Sequence, residues 1–311
     1  PLKPARKSLS PAATKALLRP LDKAWKNYVI AFPGDPEERQ PVHSVYGGAH
    51  LFKADTAKRF SDLSLKALRE YAPHASVMAA ALNLDPRLAE TIYDRVIRKL
   101  EHEAVEDFRI DFEDGYGNRP DEEEDGHAAS AAEEVAKGHI GGTLPPFIGI
   151  RIKPLTAELA ARSLRTTDIF ISTLLARTRN RLPPGFVVTL PKIVAKEQVA
   201  ITAKALAAIE KANRLKPGVL KMELMVETTQ SVFGPRGDVA LPEFIKAGGG
   251  RIRGAHMGTY DYTAGCNITA QYQSMTHPAC DFAKHVMQVS LAGTGVTISD
   301  GATNVMPVAP H

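Results

Sequence analysis

The sequence predicts an α/β chain built as a TIM (β/α)8 barrel, with a helical N-terminal arm in front and an incomplete last unit behind. Three observations lead there. Short β-branched or apolar runs alternate with longer amphipathic stretches about seven times, which implies parallel strands with covering helices. No internal repeat or low-complexity linker splits the 311 residues, so the units share one domain, which favours a barrel over an open doubly wound sheet. Charged residues recur at the ends of the strand-like runs, where such a barrel carries its active-site groups. The expected division is an arm over residues 1–40 and a barrel over 41–311.

The arm is helical over about residues 10–28 and ends in the loop Phe32-Pro33-Gly34-Asp35-Pro36. A short strand over about 42–46 runs into Gly47-Gly48. Asp55 is placed to cap a helix bearing Phe60, Leu63, Leu65 and Leu68. Asp85-Pro86 repeats that signal, a capping side chain followed by proline at the first helical position. The helix it opens carries Leu88, Ile92, Val96, Ile97 and Leu100 at spacings of three and four. Further strands are expected at 107–112, 147–153, 186–193, 221–227 and 252–259, with a weaker one at 295–299. Helices are expected at 125–137, 156–179, 195–214, 238–247 and about 278–292. The Gly248-Gly249-Gly250 run reads as a loop at a helix C-terminus and not as a hinge. After Ser299-Asp300-Gly301 the chain is expected to stop at His311 before an eighth strand and helix form, leaving strand edges that need cover.

Composition narrows the function classes. Hydrophobic residues make up 44% and charged residues 24%, which is globular and not disordered. Lys+Arg 39 against Asp+Glu 35 leaves +4, and the two signs are interleaved, so no electrostatic footprint for nucleic acid emerges. No apolar run reaches the roughly 18–20 residues of a membrane span. Cys266 and Cys280 are too few for a disulfide scaffold and read as reduced thiols. Two reduced thiols suit a cytoplasmic location, and no charged-then-apolar signal segment follows Pro1, where the sequence is expected to be trimmed.

The candidate site comes from the strand ends. These read Asp111-Phe112-Glu113-Asp114-Gly115, Gly149-Ile150-Arg151-Ile152-Lys153, Leu190-Pro191-Lys192, Met225-Val226-Glu227-Thr228 and Gly258-Thr259-Tyr260-Asp261. Singly, each has an ordinary explanation. A carboxylate after a strand caps or turns the chain, and an arginine between isoleucines pairs or snorkels. Together they converge on one mouth, where the carboxylates need a cation to offset their repulsion. Two carboxylates with an open third side suit Mg²⁺ or Mn²⁺, completed by substrate oxygens and water. Zinc is disfavoured, since no His or Cys cluster has suitable spacing.

Other polar residues are read more plainly. His256 is a core or supporting residue, while His50 and His277 lie near strand ends or loops. Cys266 is an inert small side chain, and Lys192 has an electrostatic or structural role in preference to a Schiff base. The acidic run 121–125 is a solvated helix start. Gly47-Gly48 either admits an anionic substrate to backbone N–H groups or forms a plain turn.

In this order the motifs resemble those of the citrate-lyase β-subunit and pyruvate class II aldolase family, within the phosphoenolpyruvate/pyruvate-domain barrels. Asp111-Phe112-Glu113-Asp114 is similar to its Asp-Leu-Glu-Asp signature, and Arg151 to its strand-three arginine. Pro191-Lys192, Glu227-Thr228 and the Gly258–Asp261 spacing match its later motifs, so the resemblance spans about residues 42–300. It implies a divalent metal held by Glu227 and Asp261. It implies that Arg151 contacts the α-keto acid or acyl oxygen where enolate charge develops. Gly47, Gly48 and Thr259, at neighbouring strand ends, are further candidate substrate contacts. Glu113 and Asp114 are the candidate bases, and Asp111 is a supporting strand-end residue.

There are departures from the family pattern. No histidine stands near Asp114, which favours the citrate-lyase-like branch, and the stretch Tyr262-Thr263-Ala264-Gly265-Cys266-Asn267 suits a differently shaped pocket. The implied activity is a Mg²⁺-dependent carbon–carbon lyase or aldolase, acting on a β-hydroxy acid or its coenzyme A thioester through a metal-stabilised enolate. The implied partners are a small carboxylic acid substrate and further copies of the chain as a trimer or hexamer, with no nucleic acid and no membrane. Two alternatives stay open: a catalytically silent metabolite-binding or regulatory relative, and an acyl or phosphoryl transfer enzyme on the same barrel.

Overall fold

A computed structural model of the chain describes residues 7–303. The first residues of the expected arm and the expected stop at His311 lie outside the described residues. The chain runs α1 (Pro11–Ala31), β1 (Val45–Gly48), α2 (Thr56–Tyr71), α3 (Ala75–Leu82), α4 (Ala89–Glu103), β2 (Asp107–Asp111), α5 (Asp121–Gly141), β3 (Phe147–Arg151) and α6 (Ala160–Thr178). It continues through β4 (Val187–Leu190), α7 (Lys196–Ala212), β5 (Lys221–Val226), α8 (Thr229–Val232), α9 (Leu241–Ala247), β6 (Ile252–Met257), α10 (Thr259–Gly265), α11 (Pro278–Leu291) and β7 (Thr297–Ser299).

All seven strands are parallel and lie side by side in chain order. A doubly wound sheet reverses its strand order at a switch point, and this one does not. The sheet is also curled. The Tyr46 hydroxyl on β1 lies 3.7 Å from Met225 Sδ on β5. Four strand spacings of about 4.8 Å separate those strands in a flat sheet, so only curvature brings the side chains together. Among the described residues no pairing joins β1 to β7, so the sheet is a seven-strand half-barrel and a closed barrel is not seen.

The period-two alternation of a strand sorts its side chains. On β2, Phe108 and Ile110 enter the hydrophobic core, with Phe108 packing on Phe52 and Phe60. Asp107, Arg109 and Asp111 take the other face, inside the curl. The core therefore sits between sheet and helices, with Ile150, Leu190 and Leu224 against helical residues such as Phe170 and Leu174.

Local signals are partly realised. Asp85 caps as expected, accepting the Arg87 N–H at 2.9 Å, and opens a 3₁₀ turn (Pro86–Leu88) ahead of α4. Asp55 precedes α2, but its carboxylate holds Arg59 Nε at 2.8 Å instead of a backbone N–H. The glycine run does end α9, with Gly249 and Gly250 at φ +57 and +79. The reading of residues 121–125 as a solvated start needs correction. The run opens α5, but Glu124 is completely buried, 3.4 Å from Lys153 and 3.7 Å from Arg162, with Thr166 donating to it at 2.6 Å. Among the described residues no helix is long and apolar enough to cross a membrane.

Candidate functional site

The end of β2 is a tight turn organised by Asp111. Its Oδ1 accepts the Glu113 N–H at 2.9 Å and its Oδ2 the Gly115 N–H at 2.7 Å, a local bonding habit of aspartate. The same carboxylate receives two parallel bonds from Arg151 at the end of β3, with Nε to Oδ1 at 2.7 Å. That bidentate grip fixes the plane of the guanidinium. Arg151 Nη1 is 3.1 Å from Glu113 Oε2 and 3.7 Å from Asp114 Oδ2. Its Cζ stands 4.9 Å from the centre of the Tyr46 ring. Burial would lower the Arg151 pKa, but Asp111 and Glu113 override it and hold it above the ordinary value. Arg151 is thus a fixed positive charge.

Lys192 follows β4 and has φ +49, a left-handed conformation that residues other than glycine seldom adopt and that tends to cluster at functional sites. The turn aims its backbone N–H at Glu227 Oε1, 2.6 Å away. It also places Nζ against Glu113 and 3.2 Å from both Asp114 Oδ2 and Asp261 Oδ2. Burial acts to lower this lysine's pKa; the hydrogen bond to Glu113 and the charge of Glu227 raise it on balance.

Glu227 follows β5 and is 2% exposed. A side chain at Gly258, after β6, would put its Cβ 2.3 Å from Glu227 Cβ, so glycine is what lets Glu227 lie against that strand end. Burial pushes Glu227 up to about 7, opposed by Lys192 and reinforced by Asp261 and Glu113. Burial also raises Glu113, against the pull of Arg151 and Lys192. It acts to raise Asp114 too, but there Lys192 and Arg151 prevail and the value falls. Asp261 sits in the first turn of α10.

A cavity of about 820 Å³ opens beside these groups, with Lys192, Glu227 and Asp261 on one wall and Leu155, Gln198 and Thr229 among the others. Arg151, Glu113 and Asp114 connect to that wall through Lys192 or each other. Gly47, Gly48 and Thr259 do not line it. The two glycines are the last paired residues of β1 and not a turn after it. A Cβ on Gly47 would lie 2.7 Å from Phe108 Cζ and one on Gly48 2.4 Å from the Gly115 carbonyl oxygen. Thr259 is buried, and its hydroxyl accepts the Ala302 N–H at 3.3 Å.

Glu227 and Asp261 offer hard oxygen donors at the cavity wall, suited to Mg²⁺ or Mn²⁺. Among the described residues no group of three or more His, Cys, Asp or Glu is placed to hold a metal ion. A cation here would take its remaining ligands from substrate and water.

Beneath the mouth lies a second charged layer that the sequence reading passed over. Arg109 donates to Glu223 Oε2 at 2.8 Å and also pairs with Asp107, whose other oxygen accepts from Ser44 at 2.5 Å. His256 Nε2 is 2.9 Å from the same Glu223 oxygen, which fits its expected supporting place. Burial acts to raise Glu223, but Arg109 and His256 hold it far below the ordinary carboxylate range. The missed signal was period two: charges at 107, 109 and 111, and at 223 and 227, share one face of their strands. Cys266 and Cys280 are free thiols.

A parallel half-barrel in chain order, with charges gathered at the carboxyl ends of its strands, places the molecule among α/β proteins of barrel type. The chain belongs to the family described as domain of unknown function DUF6986, whose sequence profile matches residues 21–311. Its fold is similar to that of malate synthase from Haloferax volcanii in a lead(II) complex, at 13% identity and TM-score 0.52, covering 85% of this chain and 62% of that one. It is also similar to a citrate lyase from Burkholderia xenovorans LB400, at 17% identity and TM-score 0.50, covering 72% of this chain and 63% of that one. The chain thus spans less than two thirds of the length of either relative, and at these identities the similarity concerns the fold alone. No curated protein sequence matches the chain.

Proposed function

We propose that this protein is a divalent-metal-dependent carbon–carbon lyase or aldolase of the citrate-lyase-like kind, cleaving or forming a β-hydroxy acid or its coenzyme A thioester. The single observation behind this is the meeting of Glu227, Asp261 and Lys192 on one cavity wall, with Arg151, Glu113 and Asp114 joined to them. We further infer that residues 41–311 form one (β/α)8 barrel domain of the phosphoenolpyruvate/pyruvate type, and that the chain is cytoplasmic and assembles as a trimer or hexamer.

Glu227 and Asp261 would hold Mg²⁺ or Mn²⁺, which when bound supplies a Lewis acid for the oxygen that becomes an enolate. Breaking the carbon–carbon bond leaves that enolate negative. Arg151, clamped by Asp111 and stacked on Tyr46, is a preorganised positive charge beside it and needs no rearrangement to act. A base must take the hydroxyl proton. Glu113 suits this better than Asp114, because burial raises its proton affinity while Asp114 is held low and is more exposed. Lys192 holds both carboxylates in place.

The test is calorimetric titration of MgCl₂ with oxaloacetate or pyruvate present, on the parent, Glu227→Gln and Asp261→Asn. Binding by the parent and loss in both variants is the expected result, followed by a screen for turnover of β-hydroxy acids and their thioesters. No binding by the parent overturns the metal reading. Binding without turnover of any such substrate would favour a metabolite-binding relative.

A further inference from the structure

We propose that Lys192 is a built-in cation that holds the acidic mouth together and must be displaced when a divalent ion takes its place. This rests on the reading of Glu227 and Asp261 as ion ligands. The Lys192 ammonium faces Glu113, Asp114 and Asp261 at once, while its own backbone N–H engages Glu227. Among the described residues no other touches all four carboxylates. Arg151, the other cation at the mouth, is committed to Asp111, Glu113 and Asp114.

Once all five are ionised, the charges at the mouth do not balance: among the described residues Asp111, Glu113, Asp114, Glu227 and Asp261 face Arg151 and Lys192 alone. Ionised carboxylates this close repel one another, and a single ammonium offsets the repulsion only in part. Further positive charge is therefore favourable, but it arrives where the lysine already sits. Nζ is 3.2 Å from Asp261 Oδ2, so an ion on Asp261 and the ammonium would share one oxygen and repel each other.

The two anchors of Lys192 differ in what they permit. Its backbone N–H stays on Glu227 whatever the side chain does, because the left-handed turn fixes it. The side chain is a flexible four-carbon stem ending in a point charge, and it is partly exposed, so the ammonium can swing off Asp261 while remaining on Glu113 or Asp114. Lys192 thereby competes with the ion for Asp261 and sets how tightly the ion is held.

The experiment is calorimetric titration of MgCl₂ into the full chain as parent, Lys192→Met and Lys192→Arg. The methionine keeps length without charge and should bind Mg²⁺ about twofold to fivefold more tightly than the parent, the effect of removing one partly exposed ion pair. The arginine variant, still charged, should not tighten. If the parent binds Mg²⁺ and the methionine variant binds no more tightly, the proposal is overturned while the ion reading survives. If neither binds, the ion reading fails and the proposal falls with it. A second measurement needs no variant: reductive methylation of the Lys192 amine, followed by peptide mass spectrometry, should run several-fold faster with MgCl₂ present. An unchanged rate overturns the proposal even if Lys192→Met does not fold.

Discussion

Replacing Glu227 by Gln tests the electrostatics of the site through stability alone. The Glu227 carboxyl is 2% exposed, and burial displaces its pKa from 4.5 to about 7. That displacement corresponds to about 3 kcal/mol of unfavourable folding energy for the ionised form. Below the unfolded value near 4.5, both states hold the proton and no deficit exists. Between there and about 7 the folded chain keeps a proton that the unfolded chain has lost, so stability falls as pH rises. Above about 7 the full deficit is present.

Glutamine stays neutral at every pH, and its amide oxygen can still accept the Lys192 N–H. Urea unfolding at about pH 5 and about pH 8 should therefore show the variant gaining on the parent by about 2–3 kcal/mol between the two conditions. A difference between the proteins that stays constant within about 0.5 kcal/mol would refute the reasoning, as would a variant that loses ground to the parent as pH rises. Added MgCl₂ should close the gap by stabilising the parent and not the variant.

Three further outcomes follow from the same contacts. Asp111→Ala leaves a buried guanidinium without its bidentate partner and strips two backbone N–H groups of their acceptor, so urea unfolding should show a loss of about 3–4 kcal/mol. Gly258→Ala forces a Cβ against Glu227 and should destabilise by about 1–3 kcal/mol, with weaker Mg²⁺ binding in the same preparation. Trp25, the sole tryptophan, is 63% exposed on α1, so acrylamide should quench its fluorescence nearly as efficiently as free tryptophan; a protected, blue-shifted emission would show the arm covered in solution.

The long periodic elements were legible because their patterns are long. Strands from residue 107 onward fall within the expected ranges, and the helices 156–179 and 195–214 differ from α6 and α7 by a few residues at their ends. The helices α3, α8 and α10 were not foreseen, since runs of four to eight residues are too short to reveal a 3.6-residue period. The strand placed over 252–259 accordingly ran into the start of α10, and β1 begins at Val45 and not 42. Strand-end charges were legible as candidates, yet their wiring was not. Nothing local in Pro191-Lys192 says that the lysine turns left-handed and reaches three carboxylates from two other strand ends. Glu124 shows the reverse error: an acidic run looks solvated until the fold sets Lys153 and Arg162 over one of its members.

The polar interior has its own physical logic. Branched apolar side chains usually fill the inside of a (β/α)8 barrel, whereas in this half-barrel two charged layers are stacked within the curl of the sheet. The lower one, Asp107, Arg109, Glu223 and His256, is closed on itself by hydrogen bonds, which is what allows ionised groups to remain buried. Tyr46 joins the two layers. One face of its ring meets Arg151 at 4.9 Å, and its ring lies edge-on to His256 at 6.4 Å. Asp111 and the Tyr46 ring hold Arg151 upright, and among the described residues the lower layer reaches it only through Tyr46. A water-filled floor would screen the guanidinium, whereas an internally satisfied polar floor leaves it poorly screened, the setting in which a fixed charge acts most strongly.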